Sequence, residues 1–324
     1  MVATPQHARR RLSWRSLLAW FDVTATDTHA PVHSKHIDWL RTLPFIAMHV
    51  ACLGVFWVGW SPVAVGTAVA LYLLRMFAIT GFYHRYFSHR SFKTSRFIQM
   101  MFALVGASSV QRGPIWWAAH HRHHHATTER EDDPHSPVHH GLWWSHTGWF
   151  LSSENFSVQN ERVRDWQRYP ELRFLDRFDI AVPIVLAVSL LLVGIALQTY
   201  APQLGTNGSQ MLVWGFFVST VALYHGTFTI NSLAHRWGKR RYATEDNSRN
   251  NFWLALLTLG EGWHNNHHHY PASAKQGFFW WEIDITYYLL RAMSSLGLVW
   301  DLKPVPIARR ESNQIKPSAK VLDK

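Results

Sequence analysis

Of the chain's 22 histidines, eleven fall between residues 84 and 146 and six between residues 225 and 269. They form groups: His84-Arg-Tyr-Phe-Ser-His89, then His120-His-Arg-His-His-His125 after Trp116-Trp117, and Gly260-Glu-Gly-Trp-His264-Asn-Asn-His267-His268-His269. A fourth element is Asn231-Ser-Leu-Ala-His235. Neutral imidazole is the commonest biological metal ligand. Residues three and four apart share a helix face, so His121 can point with His124 and His125, and His264 with His267 and His268. His84 and His89, five apart, need a helix end or a bend between them. Nine such ligands exceed the four of an ordinary zinc site and suit two metal ions. A solvated histidine tract would explain one group alone. It does not explain three groups and a lone histidine, all at the ends of apolar segments and interrupted by Arg and Asn.

Those apolar segments run about Leu43–Trp60, Val63–Tyr83, Ile180–Leu197 and Met211–Leu233. Each has roughly the ~20 residues a helix needs to cross a bilayer. Ser61-Pro62 breaks the first pair, and the Gly-, Pro- and Asn-containing stretch Tyr200–Gln210 breaks the second. Of 32 Lys and Arg, six lie in residues 1–43, twelve in 84–179 and thirteen in 234–324; the remaining one, Arg75, lies inside the second segment. The two hairpin loops carry none, so the positive-inside rule puts both termini and the central segment in the cytosol. The expected fold is therefore an all-α integral membrane protein. Four transmembrane helices form two hairpins, and a cytosolic helical cap holds a di-metal site. Residues 1–40 read as a cytosolic tail with an interfacial segment, 41–303 as the membrane domain and 304–324 as a C-terminal tail. Phe97–Val110 is too short to span, and Phe278–Trp300, interrupted by Glu282, Asp284 and Arg291, reads as an amphipathic helix.

The bulk composition agrees. Eighteen tryptophans suit a membrane boundary, while a mean hydropathy of −0.12 requires a large polar part as well. The net charge of +11 sits beside the membrane segments, which accounts for it without a nucleic-acid partner. The single Cys52 allows no intramolecular disulfide, and no apolar run with a cleavage site follows Arg9–Arg15 to suggest a signal peptide.

The pattern H-x4-H, H-x-x-H-H, N-x-x-x-H and H-x-x-H-H resembles the membrane fatty acid desaturases. The likeness is closest to their stearoyl-CoA (acyl-CoA delta-9) branch, in its bacterial type. Supporting phrases are Gly81-Phe-Tyr-His84 running on to Arg90, Asp133-Pro-His135, Ser145-His-Thr-Gly-Trp149 and Gly260-Glu-Gly-Trp-His264-Asn265. Order and spacing match from about residue 40 to 303. The resemblance implies a di-iron centre held by His84, His89, His121, His125 and His267 on one ion and by His124, His235, His264 and His268 on the other, with Asn231 acting through a water. The register His121–His125 is preferred because Trp117 then stands four residues before the first ligand, as in the family. His120, His123 and His269 are extra histidines beside the motifs, and His135, His139, His140 and His146 read as packing or supporting groups.

An unactivated methylene offers no handle for acid–base chemistry, and redox iron with dioxygen is the usual biological answer. All-imidazole ligation also fits zinc, so iron rests on the resemblance. The same resemblance implies a bent acyl tunnel at Gln111, Trp117 and Thr227, with its far end at Tyr72 and Met76. Met76 replaces a smaller residue of the branch, which points to C16 rather than C18 chains. The product expected is a cis double bond, at position 9 by family analogy. The head-group positions match less well: Ala119, His120 and Arg112 depart from the branch. Acyl-CoA is the first expectation for the carrier, with lipid-bound or protein-bound acyl groups behind it. No His-Pro-Gly-Gly haem phrase occurs, so electrons are expected from a separate ferredoxin-, rubredoxin- or cytochrome b5-like protein docking on the cytosolic face of a multi-pass protein of the bacterial inner membrane. Hydroxylation of a lipid or alkane on the same scaffold is the nearest alternative. A membrane metal transporter or sensor is a distant one, because it would need ligands in the middle of the spans.

Overall fold

The computed structural model describes residues 18, 20–25, 37–156, 158 and 160–315. Most of the expected N-terminal tail, and residues 316–324 of the C-terminal one, lie outside these. Among the described residues three helical runs are long and apolar enough to cross a membrane: Pro62–Ser88, Ala181–Tyr200 and Gly208–His235. They correspond to three of the four expected segments.

The first expected segment is shorter than anticipated. Helix α1 (Trp39–Cys52) stops at a turn and resumes as α2 (Val55–Val58), giving an apolar run of Thr42–Val58. At ~1.5 Å per residue this covers about 25 Å, short of the ~30 Å hydrocarbon layer. The turn falls where the chain presses on the last span: a Cβ on Gly54 would lie 3.1 Å from Val213 Cγ2.

Helix α3 (Pro62–Phe77) begins as its sequence demands. Ser61 caps it by accepting from Ala64 N, and Pro62 occupies a first-turn position where no N–H is needed. Beyond Phe77 the span continues as a π-helix, Ala78–Ser88. There Ser88 Oγ donates to Tyr83 O and His89 N to His84 O, both five residues back. In an α-helix, positions five apart stand about 140° apart around the axis, and the wider π turn brings them toward one face. The bend expected between His84 and His89 is this change of helix type.

In the second hairpin, Asn207 and Gln210 form a capping box at the start of the last span. That span runs as a π-helix (Met211–Val218) and then as a regular helix, Ser219–Ser232. Between the hairpins lie α4 (Arg96–Ala107), α5 (Pro114–Thr127), α6 (Pro170–Arg177) and then α7 (Ala181–Tyr200), the third segment of the sequence; the regular part of the last span, Ser219–Ser232, is α8. The Asp176 carboxylate caps α5 from a distance, accepting from Ile115 N and Trp116 N at 3.0 Å each. After the last span come α9 (Phe252–Leu257), α10 (His264–His269), α11 (Ile285–Ser295) and α12 (Ile307–Glu311). A two-residue ribbon, β1 (Lys93–Thr94) against β2 (Val299–Trp300), ties the end of this region back to the start.

The amphipathic helix expected over Phe278–Trp300 is confined to α11. Asp284 ends the non-helical part by capping Tyr287 N. Glu282 and Asp284 are buried, paired with Arg241 and Arg85, and so do not form a solvated face.

Arg75 faces the interior and is fully buried. Its guanidinium donates to Thr220 Oγ1 (2.8 Å), Ser219 Oγ (2.5 Å) and Ser108 O (3.2 Å), joining α3 to α8 and to the end of α4. Losing a charge-assisted donor that satisfies a buried carbonyl costs about 1–3 kcal/mol. Arg75→Met should therefore lower the thermal unfolding temperature in detergent while leaving helical content unchanged. An unaltered melting temperature would mean these bonds contribute nothing net.

Candidate metal centre

Four elements converge at the histidine-bearing ends of the spans. The π segment brings His84 and His89, α5 brings His121, His124 and His125, the end of the last span brings His235, and α10 brings His264, His267 and His268. Their ring nitrogens form two groups, each with its ligand atoms within 4.8 Å of one another: His84, His89, His121, His125 and His267 in one, and His124, His235, His264 and His268 in the other. The structure thus brings together, in two groups, the nine histidines singled out in the sequence. His120 belongs to neither; its ring packs 4.3 Å from Trp116, whereas Trp117 stacks on His121 at 5.0 Å. The other extra histidines are turned to the backbone, His123 Nε2 to Asp132 O (3.0 Å) and His269 Nε2 to Arg309 O (2.7 Å).

Within the groups, Nε2 atoms face each other: His84 and His267 at 3.1 Å, His89 and His121 at 2.8 Å, His125 and His267 at 2.9 Å, His235 and His264 at 3.1 Å. Imidazoles bound at ~2.1 Å to one ion and at right angles to each other would stand about 3.0 Å apart. The tautomers support the same conclusion. His84 Nδ1 meets Glu261 (2.5 Å), His124 Nδ1 meets Asp133 (3.0 Å), His235 Nδ1 meets Glu129 (3.1 Å), and His268 Nδ1 meets Asp246. A Nδ1–H given to a carboxylate leaves the lone pair on Nε2. His268 Nε2 is buried with no hydrogen-bond partner. Inward lone pairs at this density repel one another unless a cation lies between them, so the residues fit two metal ions.

Electrostatics keep the ligands available. Burial, then neighbouring imidazoles, hold His89, His121, His125 and His267 well below the usual histidine range, and burial does the same for His264. Burial works to raise the Glu129, Asp133, Asp246 and Glu261 carboxyls, but the imidazoles and amides beside them hold all four below the ordinary carboxylate range. The first trend keeps those five rings neutral and the second keeps the acids charged, while the Asp133 carboxylate holds His124 above the usual histidine range in spite of its burial.

The supporting acids were not assigned a role from the sequence, although Asp133 and Glu261 sit in phrases that carry the resemblance. The available signal was the scarcity of acids in a basic chain and their position within ten residues of a histidine group for Glu129, Asp133 and Glu261. Asp246 gave less, since its partner His268 is 22 residues away. Glu261 is fixed from behind by Arg85, which also pairs with Asp284. Gly260 permits this: at φ +132°, a Cβ there would lie 2.4 Å from Asp284 Oδ1.

Two cavities meet the groups. A large one of about 610 Å³ and a small one of about 50 Å³ share Trp117, His121, Thr227 and Asn231 as lining residues. Gln111 lines the large cavity and its amide donates to Thr227 Oγ1 at 3.0 Å, so Gln111, Trp117 and Thr227 lie together where the cavities adjoin. Met76 closes the small cavity. Tyr72 lines neither; its hydroxyl donates to Leu257 O (2.7 Å), and it stands with Met76 against Gly226.

The fatty acid desaturase family profile matches residues 58–300. The sn-1 stearoyl-lipid 9-desaturase of Anabaena variabilis is 36% identical over 279 residues, covering 85% of this chain and 97% of that protein. The acyl-CoA 5-desaturase AL21 of Anemone leveillei is 37% identical over 302 residues, 89% of each chain. The chloroplastic palmitoyl-monogalactosyldiacylglycerol delta-7 desaturase of Arabidopsis thaliana is 36% identical over 274 residues, covering 83% of this chain and 70% of that protein. The chain belongs to the fatty acid desaturase family.

Metal analysis tests the centre. His121→Ala should lower bound metal per chain, whereas His120→Ala should leave it at the wild-type level. Asp246→Asn should weaken metal retention against a chelator by about 10–100-fold, the usual effect of removing a carboxylate behind a ligand. Equal metal loss from His120→Ala and His121→Ala would overturn the register.

Proposed function

We propose that this member of the fatty acid desaturase family is an oxygen-dependent enzyme that introduces a cis double bond, at position 9, into a saturated C16–C18 acyl chain at a di-iron centre. On this reading His84, His89, His121, His125 and His267 hold one iron, and His124, His235, His264 and His268 hold the other. Asn231, on the shared wall of the two cavities, contacts a metal-bound water. Bound iron supplies dioxygen activation, which removal of hydrogen from a methylene requires.

The chain's own residues supply position and dryness. The observation that carries the reading is the Gln111–Thr227 hydrogen bond beside Trp117, at the junction of the cavities and against His121. An acyl chain crossing that junction is held beside both ligand groups by apolar and hydrogen-bonded walls. The part beyond the metals is directed toward the small cavity, whose wall includes Met76. Met76 is fully buried, and a Cβ on Gly226 would already lie 3.0 Å from its Cε. Such a packed end favours the shorter C16 chain.

The spans' inner ends face the cytosol on the charge count, and acyl-CoA and glycerolipid esters are the candidate carriers. Electrons come from a separate acidic redox protein. Arg309 is exposed and its carbonyl meets His269 of the ligand helix α10, and Arg236 and Lys239 are exposed on the segment that follows His235, basic groups suited to such a donor. Its docking should weaken as salt rises.

Mass spectrometry of products from defined saturated substrates tests the proposal. A cis-9 alkene, formed preferentially from C16, is expected from wild type, and Met76→Ala should shift preference toward C18. A hydroxylated product without alkene would overturn the reaction. An unchanged chain-length profile would overturn the role of Met76.

A further inference from the structure

The large cavity is walled on two sides by apolar helix stripes. On α1 it is lined by Pro44, Ala47, Met48 and Ala51, and on the α7 side by Ile180, Pro183, Ile184 and Ala187. Both sets follow the i, i+3, i+4, i+7 spacing of one helix stripe, about 10 Å deep along each axis. Helices α1 and α7 each pack on the last span, whose Phe216, Phe217, Tyr224 and Phe228 form the floor between them. The cavity is thus a slot between two apolar helices that leads up to Trp117, Thr227 and His121. Side chains beside the stripes, including Val50 on α1 and Val185 and Val188 on α7, are exposed and apolar, as lipid-facing positions are.

Its inner end is poorly made for a polyanionic carrier. Arg112 is the only lysine or arginine among the described residues lining the slot. It is ion-paired with Asp179 at 3.2 Å and donates to Phe156 O. Trp20 also lines this end, and its segment is held down by Asp22 pairing with Arg177. Among the described lining residues, the indole N–H groups of Trp149, 7% exposed, and of Trp20 are buried without a partner. An ester carbonyl could satisfy either.

We propose that the acyl chain enters sideways from the bilayer between α1 and α7, so that the substrate is an intact membrane glycerolipid and not acyl-CoA. The inference rests on the desaturase reading and specifies its carrier. The slot's volume, about 610 Å³, is within the ~300–1,000 Å³ of sites that enclose a small ligand, and its walls match hydrocarbon over the depth at which a lipid tail already lies. A lipid tail reaches the metal groups without leaving an apolar environment, whereas among the described residues the phosphates of CoA would find one wall cation, Arg112, already neutralised.

The test uses the full-length, iron-loaded protein in vesicles free of CoA and acyltransferases, supplied with reductant. One arm presents dipalmitoyl phosphatidylglycerol within the bilayer, the other palmitoyl-CoA. Wild type should desaturate the intact lipid. Ala47→Trp and Ala187→Trp, which fill the slot, should cut that activity by about tenfold or more, as steric exclusion from an apolar pocket does. In parallel, a phosphatidylglycerol carrying a photoactivatable diazirine in its acyl chain should label peptides of α1 and α7 in wild type, and the two tryptophan variants should lose that label. Desaturation of palmitoyl-CoA alone, or labelling that avoids both helices, overturns lateral entry. If neither substrate is desaturated while α1 and α7 are still labelled, the desaturase reading fails and the lipid slot stands.

Discussion

Nine imidazoles, five of them buried and four partly so, within one small volume are tolerable only if something compensates the inward crowding of lone pairs, and the rest of the architecture follows from that compensation. Two divalent ions would bring four positive charges into a site from which water is largely removed. Four carboxylates, Glu129, Asp133, Asp246 and Glu261, stand behind four of the ligands and match that charge. Arg85 is balanced separately by Asp284 while it orients Glu261. A buried charge left unpaired is costly; this arrangement leaves none of these six groups without an opposite. It also fixes which nitrogen of each ring faces inward, a choice a solvated histidine would not make.

The membrane helices are built to deliver those rings. Runs of 27 and 28 residues extend about 40 Å at α-helical rise, some 10 Å beyond the hydrocarbon layer. The surplus carries His84, His89 and His235 out to meet α5 and α10. Because the Ala78–Ser88 extension is a π-helix, His84 and His89 bring their ring centroids to 4.9 Å, which an uninterrupted α-helix would not allow. The helix-type change thus serves ligand geometry where the span leaves the membrane.

Much of this was legible in the residues. Imidazole spacing along α5 and α10 anticipated which side chains point together, because three- and four-residue intervals have one meaning in a helix. Apolar length located three spans, and Ser61-Pro62 marked the break before α3, where the structure adds that Ser61 caps the helix. The failures have physical causes. The turn at Gly54 depends on close approach to Val213, a contact between residues far apart in sequence. Glu282 and Asp284 looked like interruptions of an amphipathic helix, yet they are buried partners of Arg241 and Arg85. An ion pair formed across 199 residues, as between Arg85 and Asp284, leaves no periodic trace. The pairing of Asp246 with His268 was hidden for the same reason.

The charged half of the site and its apolar half constrain each other. Trp117 and His121 lie on one face of α5, so the stripe that presents a ligand also presents a wall of both cavities. Thr227 and Asn231, four residues apart on α8, do the same from the opposite side, and Gln111 fixes Thr227 by a hydrogen bond. A methylene gives a protein nothing to bind except its shape, so selection of one carbon pair has to come from these walls. Moving a wall residue would also move a ligand one turn away. The carboxylates that hold the imidazoles in place therefore hold the path of the acyl chain as well, although none of them has to touch it.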